Sequence, residues 1–177
     1  MRLQAYSIRS LGLDDFSLVE PVLEAVPREL FAVPRIDKGY RAFVAGMSRM
    51  PWAMPYVCLE GGNAAAVCFL NVPQPKHLSA FLVALLARPS EAGLPLALYI
   101  RHAFWSYPLH RLFTHVPALP DSEPYRDALL GVGFKREGVL AAHVTTEGGP
   151  RDAMVVGLLR DEFMSWCATN EPSLQLP

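Results

Sequence analysis

The stretch Val132-Gly133-Phe134-Lys135-Arg136-Glu137-Gly138-Val139, continuing to Thr145, constrains the fold more than any other part of this sequence. The helical pattern before it stops at Gly133, a residue that takes positive φ at no steric cost and so suits the end of a helix. An extended run follows at once, with charged residues giving way to Val139-Leu140-Ala141-Ala142-His143-Val144. Past Glu147-Gly148-Gly149-Pro150, which reads as a hairpin turn, a second extended run covers Arg151 to Arg160. Helix, Gly-Phe, long strand, turn and strand in that order is a specific way to end an α/β fold.

The rest of the chain supplies what such an ending needs. At 177 residues it suits one domain with a substantial core, and the reading places that domain at residues 1–167 with a tail at 168–177. Ala5 to Arg9 reads as a first strand, and Asp14-Asp15 supplies an N-cap candidate for a helix carrying Phe16, Val19, Val22 and Leu23. Tyr40, Phe43, Val44 and Met47 recur at helical spacing within Lys38 to Met50. Gly61-Gly62-Asn63 between two apolar runs is a strong hairpin signal. His77 to Leu86 is apolar enough for a central strand. Leu94 to Trp105 reads as a helix with Pro95 in its first turn, and His110 to Val116 as a fifth strand. Asp121 or Ser122 then caps a helix running to Val132. The order β, α, α, β, β, β, α, β, α, β, β predicts an α/β fold, a twisted mixed sheet of seven strands with about four helices.

Composition excludes several classes. A net charge of -1 gives no reason to expect nucleic acid or an anionic membrane as partner. No apolar run reaches about 18 residues, so no membrane span is indicated. The first residues lack the apolar core of a signal peptide, and a cytoplasmic location is the expectation. Cys58, Cys68 and Cys167 show no CxxC spacing and read as buried free thiols. The five histidines have no metal-ligand spacing.

This order, with Phe104 ending a helix, Leu109-His110-Arg111-Leu112 opening a strand, Gly133-Phe134-Lys135-Arg136-Glu137-Gly138 and the closing Arg151-Asp152 strand, resembles the GCN5-related N-acetyltransferase superfamily. Within it the chain is similar to the RimJ/RimL-type branch, which acetylates N-terminal amines of ribosomal proteins, and to related small-molecule acetyltransferases. The resemblance implies acetyl-CoA as co-substrate, a primary amine of a peptide or small molecule as acceptor, and, since members often dimerise, a possible homodimer. It also implies a V-shaped opening between strands 4 and 5, where CoA binds. Backbone N–H groups after the fourth strand would polarise the thioester, and the next helix would offer its N-terminus to the diphosphate.

The implied cofactor-binding segment is Leu85, Leu86, Ala87, Arg88, Ser90, Glu91, Ala92 and Gly93. It departs from the superfamily's Arg/Gln-x-x-Gly-x-Gly/Ala pattern. One glycine is lost in either register, Glu91 brings a negative charge, and Pro95 lacks an N–H. Two alternatives therefore stand beside acetyl transfer. One is a fold of this type retained as a ligand-binding or regulatory module. The other is a donor with a longer acyl chain, or an acyl group on a carrier protein's pantetheine.

Catalytic candidates follow from the same chemistry. Tyr125 and Ser122 lie where relatives place groups near the sulfur, and a phenol serves as proton donor to the leaving thiolate. Leu129 stands where many relatives carry a catalytic tyrosine. An ammonium nucleophile must lose a proton, and His77, His143 and Glu60 are the candidate bases. Arg88 is a candidate phosphate partner, Asp152 a structural hydrogen-bonding group, and Trp52 a candidate lining for an acceptor pocket.

Overall fold

The computed structural model describes residues 6–26, 36–47, 49, 55–74, 78–146, 148–171 and 174. Seven strands form one sheet in the order β1-β2-β3-β4-β5-β7-β6. They are β1 (Tyr6–Ser10), β2 (Tyr56–Glu60), β3 (Asn63–Gln74), β4 (Ser79–Leu86), β5 (Arg111–Pro117), β6 (Lys135–Thr146) and β7 (Gly149–Leu159). Five α-helices among the described residues accompany them: α1 (Phe16–Ala25), α2 (Ile36–Met47), α3 (Gly93–Ser106), α4 (Glu123–Gly131) and α5 (Arg160–Asn170). The α/β order read from the sequence is the observed one, with one helix more than expected. That helix, α5, buries Phe163 and Cys167 at an i, i+4 spacing and passes through the expected start of the tail. Leu174 beyond it is also buried, and its carbonyl accepts a 3.1 Å hydrogen bond from Arg101 Nε.

Alternation along the strands divides the sheet into two faces. Ala80, Leu82, Ala84 and Leu86 of β4 and Leu112 and Val116 of β5 pack in a large core with Leu96, Ala97, Tyr99, Ile100 and Phe104 of α3. On the opposite face Val57, Val67 and Leu85 pack with Val19, Val22, Tyr40 and Val44 of α1 and α2. Each strand between the helical layers is apolar on both sides, as a central strand must be. The three cysteines are buried free thiols.

The Gly61-Gly62 turn and the Gly133 helix stop form as their residues require. Gly61 and Gly62 join β2 to β3 at φ 55° and 89°. Gly133 ends the α4 region at φ 99°, where a side chain would be strained by the backbone conformation although its Cβ would only touch Trp166 and Leu158. At the start of α4 the expectation changes. Pro120–Ser122 forms a 3-10 turn leading into the helix, so Ser122 occupies the N-cap position without a side-chain capping bond. Among the described residues no helix is long and apolar enough to cross a membrane.

Candidate active site between strands four and five

β4 and β5 are the one parallel pair among the described strands, and they stay together only briefly. Ser79, Ala80 and Phe81 pair with Arg111, Leu112 and Phe113. β4 then continues to Leu86 and β5 to Pro117 without further pairing to each other. β4 keeps β3 as its other neighbour throughout, and β5 keeps β7. The result is a cleft whose β4 wall carries backbone groups with no ladder partner, which is where an opening between strands 4 and 5 was expected.

Tyr125 reaches this cleft from α4. Its side chain is buried, and the Thr114 side chain of β5 and the Ala84 backbone of β4 are the polar groups beside its hydroxyl. The phenol thus touches both separated strands. Burial, with a smaller contribution from Cys68, pushes its ionisation well above that of an ordinary tyrosine, and the two polar neighbours offset this only in part. Tyr125 therefore holds its proton throughout the neutral range. Ser122, three residues earlier, is equally buried, and its hydroxyl has no hydrogen-bond partner among the described residues. An unmatched buried hydroxyl costs about 1–3 kcal/mol, so a polar ligand group at this position has a partner ready. Leu129 lies fully buried one helical turn beyond Tyr125 and is a core residue.

The segment after β4 is built differently from an open phosphate loop. Leu85 and Leu86 are buried on opposite faces of the strand, and Ala87 N–H still bonds to Ala65 of β3 at 3.0 Å. Pro89–Glu91 is a 3-10 turn. Within it Glu91 N–H bonds to Arg88 O at 3.0 Å and Ala92 N–H to Pro89 O at 3.2 Å, so two donors of the loop are consumed internally. Pro89 and Pro95 have none to offer. Gly93 opens α3 with clear space around its Cα, and Ser90 is exposed beside it. Arg88, the expected phosphate partner, is ion-paired to Glu60 at 2.8 Å and to Glu91. Two N–H groups of the turn and its arginine are thus already engaged within the protein.

On the face opposite α3, half-buried side chains gather at the point where β4 and β5 part. Phe81 and Phe113 meet edge-on at 5.4 Å, and Phe81 meets the His115 ring at 5.1 Å. His143 of β6 joins them, its Nε2 lying 3.0 Å from His115 Nδ1. The chain delivers His143 there through an irregularity in β6. Pairing with β7 is interrupted between Leu140 and Val144, Ala142 takes φ 48°, and Ala142 N–H donates to Asp152 Oδ1 at 2.9 Å. Further along β5, Arg111 is paired to Glu137 and lies over Phe113 at 5.1 Å. Glu137 sits against Gly157, where a Cβ would collide with its carboxylate.

The structure thus brings Tyr125, Ser122 and the Arg88 turn to one cleft and sets His143 beside it. Glu60, at the end of β2, is drawn to the Arg88 turn, where it pairs with Arg88 and accepts a 2.6 Å hydrogen bond from Tyr6. His77 and Trp52 lie outside the described residues. No group of three or more His, Cys, Asp or Glu among the described residues is arranged to hold a metal ion. Sequence reasoning missed His115 and Thr114. The period-2 run Arg111, Phe113, His115 on a recognised strand was the available signal for the first, since it puts the three on one face.

No family model and no curated protein matches the chain. Solved structures do. RimJ of Mycobacterium smegmatis in complex with CoA-disulfide is 22% identical, with a TM-score of 0.72 over 89% of this chain and 83% of that one. A chimeric spermidine N-acetyltransferase SpeG, from Vibrio cholerae and the human enzyme SSAT, is 17% identical with a TM-score of 0.72, covering 90% and 98%. A ribosomal-protein alanine acetyltransferase from Vibrio fischeri is 14% identical with a TM-score of 0.68, covering 90% and 95%. The sheet order, the parting of β4 and β5 and these neighbours agree: the chain has the fold of the GCN5-related N-acetyltransferases.

Proposed function

We propose that this protein transfers an acetyl group from a pantetheine thioester, acetyl-CoA in the first instance, to a primary amine of a peptide N-terminus or a small molecule. The observation that carries the reading is the cleft between β4 and β5 with the Tyr125 hydroxyl at its base. Unpaired β4 backbone donors would polarise the thioester carbonyl. Ser122 and Tyr125 would hydrogen-bond the sulfur as the carbon–sulfur bond breaks, and a phenol that keeps its proton suits that task. The similar structures act, by their descriptions, on ribosomal proteins or spermidine, which supports an amine acceptor without choosing one. A soluble, cytoplasmic enzyme is part of the same reading.

The turn after β4 favours a second reading of the donor. With Arg88 neutralised by Glu60 and Glu91, and two loop N–H groups used internally, little is left to grip a diphosphate. An acyl group carried on a protein's phosphopantetheine presents no adenosine diphosphate and makes no such demand. Calorimetric titration with acetyl-CoA, free CoA and S-acetyl-pantetheine separates the possibilities. Micromolar binding of acetyl-CoA supports the first donor. Binding of S-acetyl-pantetheine as tight as that of acetyl-CoA supports the second. Binding of none of the three removes acyl transfer and leaves a fold retained for another ligand.

A further inference from the structure

Resting on the acyl-transfer reading, we infer that His115 and His143 act together as the proton acceptor for the incoming amine, with His115 receiving the proton and His143 passing it to solvent. His115 stands on β5 two residues beyond the last residue paired to β4, on the wall of the cleft. Thr114, its neighbour in sequence, faces the other side and meets Tyr125. Tyr125 and His115 therefore approach the cleft from opposite faces of the sheet. That arrangement suits a reaction in which a proton is delivered to sulfur and another removed from nitrogen.

The pair has the connectivity of a relay. His143 Nε2 and His115 Nδ1, 3.0 Å apart, share one hydrogen. When that hydrogen belongs to His115 Nδ1, His115 Nε2 carries the lone pair. A proton from the ammonium goes to His115 Nε2, the bridging proton passes to His143 Nε2, and His143 Nδ1 releases a proton to water. The freed amine nitrogen attacks the thioester carbon, the carbon–sulfur bond breaks, and the electron pair leaves on sulfur. The ammonium gives up two protons in all: one leaves through the histidines and one ends on the thiol. His143 is exposed, so the exit is open, whereas His115 is half-buried against Phe81.

The surroundings keep the acceptor neutral. Burial, then the neighbouring His143, lowers the His115 ionisation below that of an ordinary imidazole, so the basic form dominates at neutral pH. On the neighbouring strands Arg111 is ion-paired with Glu137, and the Asp152 carboxylate accepts from Ala142 N–H. The strained Ala142 and its Asp152 anchor give the irregular β6 segment a purpose, which is to aim His143.

The test is the pH dependence of kcat/KM for acetyl-CoA with the better of two acceptors, spermidine or an alanine-starting peptide, in the whole protein. His115→Asn is expected to lower kcat/KM at neutral pH about 100-fold and to abolish the acidic limb. His143→Asn is expected to lower it about tenfold and to move that limb to higher pH, because the second imidazole no longer disfavours the protonated form of His115. Circular dichroism identifies a variant that fails to fold. For that case, 15N NMR titration of the wild-type imidazoles supplies the decision: two coupled titrations support the relay, and independent ones overturn it. Transfer by wild type with an unchanged limb in folded His115→Asn overturns the relay alone. Absence of transfer from either donor thioester in the wild type overturns the acyl-transfer reading, and the relay with it.

Discussion

At the scale of single residues, Tyr125 and Arg88 carry opposite messages. Tyr125 lies beside Thr114 and Ala84 in a position that only the fold creates. Removing its hydroxyl in Tyr125→Phe should lower kcat about 100-fold while raising the KM for acetyl-CoA less, as steady-state kinetics would record. The same change should cost about 1 kcal/mol of stability in urea unfolding, since the buried Thr114 hydroxyl loses its polar neighbour. Arg88 is engaged by carboxylates at the protein surface, where such pairs contribute little to stability. Glu91→Gln should therefore leave the melting temperature unchanged. It should tighten CoA binding about threefold by calorimetry, with no effect on S-acetyl-pantetheine. The sequence exposed Glu91 as a misfit in the loop, but not that it and Glu60 clasp the arginine. A contact between residues 60 and 88 has no local signature. His115 was legible as one of a period-2 set, yet its partnership with His143 depends on an irregularity that no residue pattern announces.

At the scale of elements, the closing hairpin combines scaffold and geometry. Gly133 is fixed at φ 99° between α4 and β6, and Gly133→Ala should destabilise the protein by about 2 kcal/mol in urea unfolding. This position was legible because a helix stop followed at once by a strand leaves few residues able to turn the chain. The β6 irregularity was not. Ala142 looks like an ordinary strand alanine, and only the Asp152 carboxylate beneath its N–H reveals why it takes φ 48°. Asp152→Ala should release that segment and cost about 1 kcal/mol. It should lower kcat in step with His143→Asn, leaving the KM for the donor unchanged. The α4 entry differed from expectation because two prolines flank it. Pro120 and Pro124 favour a tight turn that fixes Ser122 without needing its hydroxyl, and this leaves the hydroxyl directed into the protein.

At the scale of the molecule, the fold follows from strand hydrophobicity and a single topological break. β4 is apolar on both faces and sits between two helical layers, so it must be central. Its parallel neighbour β5 follows a helical crossover, and the two strands part after three residue pairs. The element order up to β7 was readable because each of those junctions carries glycine or proline, whereas the Leu159–Arg160 junction that opens α5 carries neither. The cleft was not readable from pattern at all and came only with the resemblance to a known fold. Amine-dependent release of free thiol from the donor thioester tests the account most directly. With acetyl-CoA or S-acetyl-pantetheine and a panel of spermidine and short peptides, the account predicts thiol release that needs both amine and protein and falls about 100-fold in Tyr125→Phe. Thiol release no faster than the uncatalysed background with every donor and amine would contradict it.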